Sequence, residues 1–312
     1  METVHKHEHK GGHSHSHNHG EVKGENLLFA TMLNFFITLI EIAGGILSGS
    51  FALLSDALHN FGDTLAVFLA YVSHRISKRS PTTDKTFGFK RIEILAAMLN
   101  GLAMAVICIY LVYEAFQRFK HPEPINGAMM VVIASIGLLA NFIAVAILRN
   151  DKDKNLNIKA AYLHLIGDTL SSVAVVIGGI FIYFYKIFWL DPIITFIIAI
   201  YVFRETWFVL KQAYLILLQA TPNELNIKTV HAVLEHLPEV ENVHHIHAWK
   251  LDDKQIHFEC HVDLKNDCRI SETEHILHRM KHILKEDFNV SHTTIQFEFN
   301  CCDDKSMIRN TP

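Results

Sequence analysis

Six long apolar runs, separated by polar breaks, fill the first two thirds of the chain. They fall at about 26–47, 51–74, 92–117, 126–148, 157–184 and 190–213. Each is long enough to cross ~30 Å of hydrocarbon at a helical rise of ~1.5 Å per residue. The break Ser48-Gly49-Ser50 is so short that the first two runs must form a tight antiparallel hairpin. After Thr221-Pro222 the pattern changes. Residues 223–237 have helical spacing, with Leu225, Val230, Val233, Leu234 and Leu237 apolar. Residues 240–251 and 255–264 read as strands joined by Asp252-Asp253-Lys254. Residues 271–286 read as a helix and 291–299 as a third strand. The order αββαβ predicts a small α+β domain with its helices on one face of the sheet.

The strands alternate. In 255–264, Ile256, Phe258, Cys260, Val262 and Leu264 face one way, and His257, Glu259, His261 and Asp263 the other. In 291–299, Ile295, Phe297 and Phe299 oppose His292, Thr294, Gln296 and Glu298. Histidines and carboxylates therefore share a polar sheet face. With His244, His245 and His247 on the first strand, that face is read as a metal site rather than a merely solvated surface. The histidines His275, His278 and His282 lie three and four apart on the second helix and read as a solvated stripe.

The apolar runs are interrupted by groups that hydrocarbon rejects. The second, SFALLSDALHNFGDTLAVFLAY, carries Asp56, His59 and Asp63, and the fifth carries His164 and Asp168. His59/Asp63 and His164/Asp168 have the same spacing of four, so each pair lies on one face of its helix, one turn apart. An ionisable group in hydrocarbon costs roughly 3 kcal/mol or more. Four at matched spacing supply two imidazoles and two carboxylates, a complete set for one tetrahedral zinc. Asn34, Asn100, Asn141, Ser171, Ser172 and the small residues Gly44, Gly45, Gly178 and Gly179 read as helix-packing positions. Glu41 is different: a carboxylate in mid-span needs a partner or a wet cavity, and both a structural role and a place beside the metal or on a proton path are open to it.

Composition agrees with the pattern. Half of the 312 residues are hydrophobic, too apolar for an ordinary soluble domain, and the net charge of −4 gives no general affinity for nucleic acid. Twenty-two residues are His, and His5, His7, His9, His13, His15, His17 and His19 lie in the opening segment. Residues 1–24 are therefore read as a disordered, metal-collecting tail, followed by a membrane domain (25–218) and a soluble domain (219–312). The opening segment has no charged region followed by an apolar one, so no cleavable signal is expected. Adjacent Cys301 and Cys302 suit a metal better than a structural disulfide. The breaks after the second and fourth runs hold Arg75, Lys78, Arg79, Lys85, Lys90, Arg91, Arg149, Lys152, Lys154 and Lys159, against Arg118, Lys120 and Lys186 on the other side. The positive-inside rule then puts both termini in the cytoplasm.

In SFALLSDALHNFGD, HLIGD, TFGFKRIEILAA and, further on, VHHIHAW and TIQFE, the chain resembles the cation diffusion facilitators, a family of zinc-exporting metal/proton antiporters. The resemblance covers about residues 26–300, and the two-His, two-Asp set is similar to that of the zinc-preferring branch. It implies a homodimer whose cytoplasmic ferredoxin-like domain binds zinc and helps pair the protomers. It points to His244, His261 and Glu298 as ligands there, while strand alternation sets His244 beside Ile246 and Ala248 and favours His245 or His247. His244 is kept first, with His247 and His292 as further candidates, and Cys301 and Cys302 resemble terminal cysteines that complete this site in some members. Some bacterial relatives hold another metal in the basic loop with one Asp and two His. Here Asp84 remains, but Lys85 and Phe89 occupy the His positions, so that site is expected to be absent.

The expectation is a secondary transporter in a bacterial inner membrane that exports Zn²⁺ in exchange for H⁺, with Zn²⁺ also a structural or regulatory ion of the soluble domain. Two other readings compete: an exporter of a broader set including Cd²⁺ and Co²⁺, and a membrane-tethered zinc sensor or buffer. An intramembrane metalloenzyme would need HExxH or paired-His motifs, which the sequence lacks. A sensor has no use for a buried quartet.

Overall fold

The computed structural model describes residues 24–149, 156–300 and 304–308. Most of the His-rich tail, and Cys301 and Cys302, lie outside the described residues. The apolar runs form six long helices: α1 Gly24–Ser48, α2 Phe51–Ser77, α3 Ile92–Lys120, α4 Gly127–Arg149, α5 Leu156–Tyr185 and α6 Leu190–Leu217. Helices α2, α3 and α6 run about a turn past the apolar stretch at their C-terminal ends. Once a helix exists, each further residue adds a backbone hydrogen bond at little cost, even outside hydrocarbon.

Four of these, α3, α4, α6 and the Tyr162–Tyr185 part of α5, are long and apolar enough to cross a membrane. The Met32–Ser48 part of α1 is apolar but shorter. Helix α2 is long, yet its polar residues dilute its apolar character. They turn inward: Ser55, Asp56, His59 and Asn60 are buried, while Val67, Phe68 and Tyr71 face out. Elsewhere Leu99, Val106, Leu139, Phe142, Ile197 and Phe208 also face out. A surface this apolar is stable against lipid tails, not water. The chain is a multi-pass membrane protein.

Helix α2 sits at the centre, touching α1, α3, α5 and α6. It enters through the predicted hairpin. Gly49 takes a positive φ of 73°, which closes the turn, and Ser50 Oγ accepts from the Leu53 amide at 3.1 Å as N-cap. The turn is also held from outside. Arg118, at the end of α3, donates to the Gly49 carbonyl and lies over the Phe51 ring.

The soluble part comprises α7 Ile227–Glu235, β1 Val240–Lys250, β2 Ile256–Leu264, α8 Ile270–Glu286 and β3 His292–Glu298. The sheet order is β1-β2-β3, with β1 antiparallel and β3 parallel to β2. Val230 and Leu234 of α7 and Ile276, Met280 and Leu284 of α8 form one core with Val243, Ile246, Phe258, Cys260 and Val262. The helices thus cover one sheet face, as the alternation requires.

A bulge in β1 resolves the conflict over His244. Val243 pairs with Val262 and His244 with His261, but His247 pairs with Glu259, so two residues of β1 oppose Cys260. His245 takes a left-handed φ of 50° there. The extra residue lets Val243, Ile246 and Ala248 all face the core while His244 stays on the polar face. That face is also less open than its composition suggests. His257 is buried under Phe87 of the loop between α2 and α3, whose ring lies 5.5 Å away. Burial, and then neighbouring His292, hold the His257 imidazole below its usual range. Asp263 is covered by the returning chain, which supplies Lys305 Nζ at 2.5 Å and the Asn300 amide at 3.1 Å.

Candidate metal centres

The two HxxxD pairs of α2 and α5 face each other. His59 Nδ1 lies 3.6 Å from Asp63 Oδ2, and His59 Nε2 lies 3.4 Å from Asp168 Oδ1. His164 Nε2 lies 3.1 Å from Asp63 Oδ2 and 3.7 Å from Asp168 Oδ2. One ligand atom from each of the four lies within 4.8 Å of the others. Tetrahedral zinc with bonds of ~2.0–2.1 Å needs donors ~3.3–3.5 Å apart, close to these separations. His59 Nε2 and Asp168 Oδ1 are buried without a hydrogen-bond partner among the described residues, as atoms reserved for a cation would be.

The quartet is buried on one side only. His59 and Asp168 are 6% and 3% exposed at the side chain, but Asp63 and His164 are 34% and 37% exposed. Asp63 and His59 line a cavity of about 360 Å³ between α2, α3 and α6, which runs past Ser73 and Glu93. Those are the helix ends next to the loop that carries Phe87, so the cavity leads toward the soluble domain. Glu93, held by Ser77 Oγ at 2.5 Å, and Glu205 add acidic lining. Neither glutamate stood out in the sequence reading. Glu205 was legible as another carboxylate within an apolar run, whereas Glu93 at a helix start gave no signal.

On the other side of the quartet the packing is tight and polar. Asp56 accepts from Ser171 Oγ at 2.5 Å and Ser172 Oγ at 2.9 Å, and Asn141 Nδ2 donates to Ser172 Oγ at 3.1 Å. Glu41 Oε2 accepts from Asn60 Nδ2 at 3.4 Å. Ser171 and Ser172, expected only to pack helices, therefore also satisfy a buried carboxylate, and Asn141 in turn holds Ser172. Asp191 of α6 was not singled out in the sequence. It accepts from Ser50 Oγ at 2.5 Å and from the Phe51 and Ala52 amides at 2.9 and 3.2 Å, fastening α6 to the start of α2.

In the soluble domain, His244, His245 and His261 offer ligand atoms within 4.8 Å of one another. Glu298 lies 3.3 Å from His244 Nε2 and 2.7 Å from His261 Nδ1. His244, His261 and Glu298 thus meet as the resemblance implied. His245, which strand alternation offered beside His247, joins them. The bulge brings it in, and its ring lies 4.8 Å from His244 and 4.9 Å from His261. The clue in the sequence is the spacing of Val243 and Ile246, which breaks the period of two. His247 is carried past the bulge to pair with Glu259, outside this cluster. His292, at the start of β3, packs on His257 at 4.9 Å and is also outside it. Cys260 lies beside His261 but on the core face, where burial pushes its thiol up to about 12, so it remains a neutral core residue. In the basic loop, Lys85 lies over the Phe89 ring, and no metal cluster forms there among the described residues.

Residues 27–218 match the family model for the cation efflux transmembrane domain, and 222–299 that for the cation efflux protein cytoplasmic domain. The chain is 38% identical over 280 residues to the zinc transporter ZitB of Escherichia coli, covering 88% of each protein. It is 37% identical over 262 residues to the cadmium, cobalt and zinc/H(+)-K(+) antiporter of Bacillus subtilis, covering 83% of this chain and 84% of that protein. It is 35% identical over 278 residues to the metal cation efflux system protein CzcD of Cupriavidus metallidurans, covering 89% and 87%. With two family models and these relatives matching it along nearly its whole length, the chain belongs to the cation efflux family, the cation diffusion facilitators.

Proposed function

We propose that this protein moves Zn²⁺ out of the cytosol in exchange for H⁺, with His59, Asp63, His164 and Asp168 holding the ion in transit. The observation that carries the reading is the buried quartet, whose spacing suits tetrahedral zinc and which lies at the end of an acidic cavity. Two carboxylates cancel the charge of one Zn²⁺, so the loaded site is neutral and its burial is cheap. Zinc requires neutral imidazoles and ionised carboxylates, so protons compete with it directly. A near-neutral cytosol favours loading, and an acidic exterior favours release. Rocking of the helices about this site then gives alternating access.

Six membrane crossings, with both termini in the cytoplasm, place the cavity mouth and the soluble domain on the cytosolic side of a bacterial inner membrane. The chain divides near residues 218–222, after the last membrane helix. The soluble domain pairs two protomers and holds a regulatory zinc with His244, His245, His261 and Glu298. The name of the Bacillus relative favours a wider range that takes in Cd²⁺ and Co²⁺. The test is metal entry into sealed liposomes bearing the purified protein, across a panel of divalent ions. No zinc entry above protein-free vesicles would remove the reading.

Zinc should slow hydrogen exchange of the full-length protein in 240–264 and 292–298. A site formed only in the folded domain stabilises it by about 2.7 kcal/mol at a zinc concentration a hundred times its Kd, which is about a hundredfold fewer openings. Glu298→Ala should abolish that protection. Equal protection in the variant would show that the cluster is not the site.

A further inference from the structure

We propose that Glu41 is a second proton-carrying site, on the far side of the zinc quartet from the cavity; this deepens the antiport reading and rests on it. Glu41 is 1% exposed and Asp56 is 1% exposed. Among the described residues neither lies within ion-pair distance of a lysine or arginine. The titratable groups near Glu41 are Asp56 of α2 and Asp168 of α5, and those near Asp56 are His59 and Asp168. Helix α4 comes near them with Gly137 and Asn141 and carries no charged side chain before Arg149. Two carboxylates in hydrocarbon with no fixed cation cannot both be charged at tolerable cost.

Their hydrogen-bond surroundings differ. Asp56 accepts two hydroxyl hydrogen bonds, from Ser171 and Ser172. Glu41 has one long contact, to Asn60, and its Oε1 is buried with no partner. That oxygen points at Gly137, where an added Cβ would come within 1.7 Å of it, so the pocket is closed around it. The Asn60 side-chain oxygen Oδ1 is also buried without a partner among the described residues. With the Asn60 amide turned over, a protonated Glu41 can donate to the Asn60 side-chain oxygen in place of the present contact.

The location suits a station for protons coming from outside. Glu41 lies toward the end of α1, Asp56 one turn before His59, and Ser171 and Ser172 one turn after Asp168, all on the side of the α1–α2 hairpin. Asp168 is the link. While it is ionised, its charge favours keeping the proton on Glu41. When Zn²⁺ binds Asp168 from the cavity side that charge is cancelled, and Glu41 gives up its proton as H⁺ to the same, cytosolic side, leaving the carboxylate. Release of zinc reverses the step.

The experiment is proton release on zinc addition to the full-length protein in weakly buffered detergent, for wild type and Glu41→Gln, with transport of both ions in liposomes. The Gln side chain keeps the shape and the Asn60 contact. The expected result is continued zinc flux, with one fewer proton released per zinc than in wild type and a weaker response of flux to pH. An unchanged proton count and pH response in Glu41→Gln would overturn the proposal while leaving antiport intact. Absence of proton movement in the wild type would instead overturn antiport itself. If the variant fails to accumulate, infrared difference spectra of wild type and Glu41→Asp decide the matter. A protonated carboxyl band that is lost on zinc addition and shifts in Glu41→Asp supports the station, and a band that is not lost, or that this variant leaves in place, rejects it.

Discussion

Asp168→Asn should reduce zinc flux by at least about 100-fold while the protein remains inserted in the membrane. Even residues that only orient metal ligands typically contribute 10–100-fold, and Asp168 is one of the four proposed ligands. It is the most buried acid of the quartet and lies within 3.4–3.7 Å of both histidines. The amide keeps the volume but removes half the negative charge that offsets Zn²⁺, so the loaded site becomes a net cation in hydrocarbon. Asp63→Asn removes the same charge from the cavity side, and its loss should be comparable. The measurement is zinc uptake by liposomes normalised to inserted protein. Flux within a few-fold of wild type would mean that the ion passes elsewhere.

Asp191→Ala should have the largest effect on stability. The carboxylate is fully buried and holds Ser50 Oγ and the amides of Phe51 and Ala52, at a helix N-terminus where negative charge is favoured. Removing it leaves buried donors unpaired, each costing about 1–3 kcal/mol, and relieves the burial of one charge, for a net loss of roughly 2–4 kcal/mol. Because α2 carries half of the quartet, zinc transport should fall with it. Thermal unfolding in detergent checks the first effect, and Asp191→Glu should recover part of the loss. A melting temperature equal to wild type would show that Ser50 alone suffices to cap α2.

The membrane helices and the quartet were legible because lipid makes two demands on a sequence. It requires long apolar runs, and it makes every ionisable group within them conspicuous. His59 and Asp63 were found by their spacing on one helix, and His164 and Asp168 by its repetition. Asp191 escaped because it begins a helix, where an acid is ordinary, and only the fold shows that it caps a different one. The soluble site was half legible. Alternation placed His261 and Glu298 on the polar face, but one extra residue at His245 shifted the first strand. Strict alternation had put His244 toward the core, and its true place depends on a backbone bulge at a non-glycine position. His292 shares the polar face but lies at the far end of β3, next to His257, and alternation alone carries no information about distance along a strand.

The most direct test of the account follows zinc and pH together inside liposomes carrying the oriented protein, at imposed pH gradients of both signs. The account predicts zinc accumulation against its own gradient when the receiving side is acidic, proton movement in the opposite direction in fixed ratio, and reversal when the pH gradient is reversed. Zinc movement that only equalises concentrations, with no proton counterflow and no response to the gradient, would contradict it.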